Sequence, residues 1–292
     1  MDYQTILYHV KDRILTLTLN QPDKLNSFTI EMSHELIHAY QRASEDDLVS
    51  VIIVTGAGRA FCAGMDLNID GNVFGLNEEL KPTIEDMRER SEDEEIIRGV
   101  RDAGGRVVLA MYECKKPIIG AINGAAVGIG ATMTCAMDIR FVSTKAKVGF
   151  VFNKIGITPE ACSSWFLPKL VGFQTALEWC YTGEILLPET LLRERFAKEI
   201  CEPEELLTKA REFAQKLVQH SQVSMALTRQ MLYRNSALDH PLKAHEIDSL
   251  SIFYASLGAG KEGVKSFLEK RAPEFTDKAS TDMPDFYPWW TD

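Results

Sequence analysis

His34-Glu35-Leu36-Ile37-His38 matches the H-E-x-x-H pattern, in which two imidazoles one helical turn apart bind zinc and the glutamate works the metal-bound water. Zinc also needs a third protein ligand, and the extended pattern fails downstream, where Gln41 and Ser44 replace its Gly and His. At about 100° per residue, both histidines project among Glu31, Glu35, Gln41 and Arg42, opposite the apolar face. The expectation is a solvated polar face and no metal site. Gly56-Ala57-Gly58 follows an apolar run as a dinucleotide fingerprint would, but Phe61 stands where the third glycine should permit helix–strand packing. Cys62 and Cys162 have no histidine in their motifs and read as small buried hydrophobes.

Two further turns offer backbone rather than side-chain chemistry: Ala60-Phe61-Cys62-Ala63-Gly64-Met65-Asp66-Leu67 and Asn123-Gly124-Ala125-Ala126-Val127-Gly128-Ile129-Gly130. Their small residues let a ligand approach peptide N–H groups, and the second leads into a helix whose first N–H groups are free. Converging on one oxygen, two such peptides make an oxyanion hole; standing apart, they are ordinary close-packed turns. Asp66 either meets substrate or caps its turn.

The elements that must position these turns show in the apolar pattern. Leu15, Leu17 and Leu19 alternate with Thr16 and Thr18 as in a half-buried strand, and a one-sided apolar pattern from Ile30 to Ala43 predicts a helix. Val51 to Val54, Pro117 to Ile122 and Ile139 to Ser143 are apolar runs of buried-strand type, so strands and helices alternate in an α/β core. Residues 68–105 form an acidic, glycine-punctuated connection long enough to be a lid. Beyond about residue 200 only helical periodicity remains, over Glu202 to His220, Gln222 to Asn235, Leu242 to Leu257 and Glu262 to Arg271, with an apolar tail from Phe286 to Trp290 as a cap. This divides the chain into a core, 1–200, and a helical region, 201–292.

The 292 residues are 45% hydrophobic and 25% charged, with a formal charge of −10, so the basic field of a nucleic-acid binder is missing. Six scattered cysteines without a Cys-x-x-Cys pair fit a reducing compartment, and the start MDYQTILYHVKDR lacks a secretory or transit pattern, so the cytoplasm is the expected location. Pro117 to Met137 carries no charge, but its glycines and polar residues fit a strand, turn and helix better than a membrane span.

In these motifs the chain resembles the crotonase (enoyl-CoA hydratase/isomerase) superfamily. The likeness runs through Leu19-Asn20-Gln21-Pro22, Lys24-Leu25-Asn26, both turns, Asp138-Ile139-Arg140, Gly156-Ile157-Thr158-Pro159-Glu160, and Glu262 through Arg271. It implies a spiral of repeated ββα units with a C-terminal helical region, a homotrimer or homohexamer, an acyl-CoA thioester substrate and no cofactor beyond the CoA that substrate carries. The N–H groups of Ala63 and Ile129 would then be the oxyanion donors and Glu160 the acid or base. Gly64, Met65, Asp66, Gly128 and Phe152 would line the substrate, with Lys24 and Arg59 near its phosphates. Phe267 and Lys270 would reach the nucleotide from a neighbouring subunit. Typical hydratases of the family carry two glutamates where this chain has Thr132 and Phe152. Thr158-Pro159-Glu160-Ala161-Cys162-Ser163-Ser164 looks instead like the peroxisomal-type Δ3,Δ2-enoyl-CoA isomerase branch. The expected activity is therefore conversion of 3-enoyl-CoA to 2-enoyl-CoA, with a hydratase using another acid pair, a silent acyl-CoA-binding protein and a zinc hydrolase as alternatives.

Overall fold

The computed structural model describes residues 2–67 and 71–291. The Leu15-Leu17-Leu19 alternation becomes β2 (Ile14–Leu19), antiparallel to β1 (Ile6–Lys11) and parallel to β3 (Val51–Gly56). Between β2 and β3 runs α1 (Ile30–Glu45), started by the Thr29 hydroxyl, which accepts the Met32 N–H at 3.1 Å. The β3 run ends at Gly56 because the chain doubles back tightly into β4 (Ala60–Cys62). A Cβ on Gly56 would lie 2.7 Å from Phe61 Cα, so this glycine serves a close turn.

The same unit then repeats: a strand of one sheet, a short strand of a second sheet, and helix. After β3 and β4 come α2 (Ile84–Glu89), α3 (Glu94–Gly99) and α4 (Ala103–Glu113). Then follow β5 (Ile118–Ile122), β6 (Ala125–Val127) and α5 (Ile129–Cys135). The third unit is β7 (Ile139–Ser143), β8 (Lys147–Gly149), α6 (Ser163–Val171) and α7 (Phe173–Thr182). Finally β9 (Ile185–Leu186), α8 (Pro188–Arg193) and β10 (Glu199–Cys201) complete the sheets, ordered β1-β2-β3-β5-β7-β10 and β4-β6-β8-β9. This is the expected α/β spiral of ββα units. The uncharged stretch from Pro117 to Met137 divides into β5, β6 and α5, and among the described residues no helix is long and apolar enough to cross a membrane.

Alternation along the larger sheet separates two cores. Leu15, Leu17, Ile52 and Val54 face α1 and α4, whereas Ile14, Val51, Ile53 and Ile119 face α9 (Leu206–Val218). Helix α9 thus lies beyond the 200/201 boundary in sequence yet covers one face of the core through Leu206, Ala210 and Ala214. The helical region continues with α10 (Gln222–Asn235), α11 (Pro241–Leu257) and α12 (Ala259–Glu269). Its tail packs back as expected, with Phe286 5.8 Å from Tyr254 and the Trp290 ring 3.2 Å from the Arg234 guanidinium.

The H-E-x-x-H helix corrects one expectation. Glu35 is buried, and its carboxylate accepts the Gln4 N–H at 2.6 Å, the Thr5 N–H at 2.8 Å and the Thr5 hydroxyl at 2.5 Å. The helical wheel saw only α1, and the N-terminal segment crosses the face that looked solvated. Tyr3 meets His38 Nδ1 at 2.8 Å. The motif thus ties the segment before β1 to α1, and no group of three or more His, Cys, Asp or Glu side chains placed to hold a metal ion occurs among the described residues.

Candidate active site

Parallel pairing of β4, β6 and β8 makes the turns at their C-terminal ends emerge side by side at one edge of the smaller sheet. Residues 63–67, 128–129 and 150–160 meet there around a cavity of about 170 Å³. Phe28, Met65, Val127, Ile129, Phe152 and Ile157 give it apolar walls, and Asp102 and Glu160 are its carboxylates.

In the first turn the sequence expectation needs correction. Ala63 donates its N–H to the Leu25 carbonyl at 3.1 Å and has none left for a ligand. Met65 forms a parallel bridge with Phe28, in which Gly64 O accepts the Phe28 N–H at 2.7 Å and Phe28 O accepts the Asp66 N–H at 2.9 Å. The Met65 N–H therefore points the other way, toward the side where Gly64 packs against Val127, and has no acceptor among the described residues. In the second turn Gly128 precedes α5 with φ 56°, and Ile129 supplies the first helical N–H, again without an acceptor among the described residues.

Glu160 is half-buried on the third turn. The Thr132 hydroxyl, fully buried on α5, donates to Glu160 Oε1 at 2.6 Å. Burial pushes the Glu160 carboxyl up to about 8; the Thr132 hydroxyl opposes this, while the charge of Asp102 and a hydrogen bond to it add to the rise. Phe152 is buried against the cavity. Cys62 is held neutral, pushed up to about 12 by burial, and Cys162 is raised for the same reason, so neither is an activated nucleophile.

Asp102 went unnoticed in the sequence. Its side chain caps α4, accepting the Gly105 N–H, and Oδ1 also accepts the Ala161 N–H at 3.2 Å. The close approach of α4 depends on Gly104, where a Cβ would collide with Glu160 Oε2 and Ile129 Cδ1. The Asp-Ala-Gly-Gly start of α4 was a legible helix cap, but nothing local told that it would face Glu160.

The remaining expected contacts lie outside the cavity. Lys24, 66% exposed in its side chain, pairs with Asp66 at 3.4 Å, and Arg59 is exposed between β3 and β4. Phe267 is 82% exposed near the end of α12, and Lys270 is exposed just beyond it.

The sequence model described as enoyl-CoA hydratase/isomerase matches residues 9–278. The chain belongs to the enoyl-CoA hydratase/isomerase family. It is an enzyme of the crotonase superfamily with that superfamily's α/β fold. Among its family relatives, an enoyl-CoA hydratase from Alternaria alternata is 36% identical over 91% of this chain and 84% of its own length. The 1,2-epoxyphenylacetyl-CoA isomerase of Escherichia coli K12 is 32% identical over 94% of this chain and 98% of its own. The crystal structure of an enoyl-CoA hydratase from Bacillus anthracis superposes with a TM-score of 0.80 at 25% identity, covering 93% of this chain and 99% of that one.

Proposed function

We propose that this enzyme moves a carbon–carbon double bond in an acyl-CoA thioester, converting 3-enoyl-CoA to 2-enoyl-CoA with Glu160 as the base. The observation that supports this most directly is the Glu160 carboxylate on the wall of an apolar cavity, flanked by Thr132 and Phe152, which exchange no proton, and by the N–H groups of Met65 and Ile129, which have no acceptor among the described residues. The thioester oxygen accepts from both N–H groups. Glu160 takes a proton from C2, the electron pair spreads from the oxygen to C4, and the protonated carboxyl returns the proton at C4. Such preorganised donors are typically worth roughly 3–4 kcal/mol each at the transition state. The proton shift is redox-neutral and uses no cofactor besides the substrate's own CoA.

On this reading the chain works as the peroxisomal-type isomerase branch does. Lys24 and Arg59 are candidates for the CoA phosphates, and the exposed Phe267 and Lys270 would complete the site from a neighbouring subunit of a homotrimer or homohexamer. A hydratase reading is favoured by Asp102, which gives Glu160 a second carboxylate. Incubating the protein in parallel with a 3-enoyl-CoA and a 2-enoyl-CoA separates the two. Formation of the 2-enoyl isomer, lost in Glu160→Gln, is expected; hydration of the 2-enoyl-CoA without isomerisation would replace this reading, and binding without turnover would leave only a carrier.

A further inference from the structure

Asp102 reaches the turn that carries Glu160 from 59 residues before Ala161. Ala161 and Cys162 both have φ 54°, two successive left-handed residues without a glycine, an arrangement that persists only where the surroundings impose it. From inside the turn, the Ser163 hydroxyl and N–H donate to the Glu160 carbonyl at 2.7 and 3.0 Å. From outside it, Asp102 is the one side chain among the described residues that bonds the turn's backbone. The absent side chain of Gly104 lets the first turn of α4 press directly on Glu160.

We propose that Asp102 is the positioning residue for Glu160: its carboxylate pins the turn that carries the base and stands a second negative group against the base's own carboxyl. The proposal rests on the reading of Glu160 as the base. A proton relocated from C2 to C4 must stay on one carboxyl between the two transfers, and a neighbouring negative charge makes that carboxyl hold it more firmly. Among the described residues, the other titratable groups near Glu160 are Cys62 on β4, Cys135 on α5 and Cys162 in the turn, all thiols that burial keeps neutral. Arg101, beside Asp102, is turned to the Ser91 carbonyl at 3.1 Å and Glu92 at 3.7 Å.

The test compares wild type, Asp102→Asn, Asp102→Ser and Glu160→Gln in kcat/KM for a 3-enoyl-CoA across pH. Asn and Ser both retain a helix cap, so α4 keeps its start while the charge is lost. The acid limb should move about one pH unit lower in both variants, so that they are relatively more active than wild type in mild acid. Lost packing alone would lower the whole profile without moving its limb. A limb that stays in place in both variants overturns the proposal, whatever happens to the plateau. Full activity in Glu160→Gln would instead overturn the assignment of the base, so the two failures are distinguishable.

Discussion

A carboxyl that burial pushes up to about 8 is stable in its cavity only while it keeps its proton. Its unfolded counterpart titrates near 4.3, so between these values the native chain binds more protons than the unfolded one. The stability associated with the neutral carboxyl is complete below about pH 4 and is lost as pH rises through about 8. On the proposed role of Glu160, turnover follows the opposite course, since a base must be ionised. Glu160→Gln should therefore lose about 10²–10⁴ in rate while melting above wild type in mild alkali, and the difference in Tm should shrink toward acid. Melting curves at several pH values check this, and a pH-independent difference would contradict the buried titration. The placement of Glu160 in a turn resembling a family site was legible in the chain itself. The choice between Ala63 and Met65 as donor was not, because it depends on the Leu25 carbonyl and the Phe28 bridge far upstream. Glu35 and Asp102 escaped for the same reason: each faces a partner from another part of the chain.

Between the first turn and α4, described residues 71–101 contain two six-residue helices, too short to stand alone. Arg90 joins Asp86, Asp93 and Glu95 at 3.2, 2.8 and 2.7 Å, but it is 42% exposed in its side chain, and such surface pairs contribute little to stability. Their amides should exchange much faster than those of β3 and β5, and an acyl-CoA should slow them because Phe74 and the start of α4 border the cavity. Protection equal to that of the strands without ligand would remove the lid. At this scale the long strands were readable because every second residue, or every residue, is apolar. The three-residue β4, β6 and β8 are too short to show a period, so the second sheet was carried by resemblance alone. The acidic segment read as a long, lid-like connection with no helix in it, although Thr83 and Asp86 form a capping box at the start of α2.

At the scale of the whole molecule, the helical region leaves Leu232, Ile252 and Phe267 more than half exposed, a surface better suited to association than to solvent. If the nucleotide is met there across subunits, Lys270→Glu should weaken CoA binding at low salt, with the difference fading at high salt, while isomerisation remains measurable at saturating substrate. Unchanged affinity at low salt would exclude Lys270 from the phosphate contact. The parallel pairing of β4 with β6 has a metrical consequence for the proposed oxyanion site. Neighbouring strands stand about 4.8 Å apart, and two N–H groups that share one oxygen, each about 2.9 Å from it, can be separated by no more than about 5.8 Å. The pitch of a β-ladder is thus a natural gauge for a two-donor cradle. Met65 and Ile129 can vary in side chain while the backbone ruler beneath them keeps its graduation.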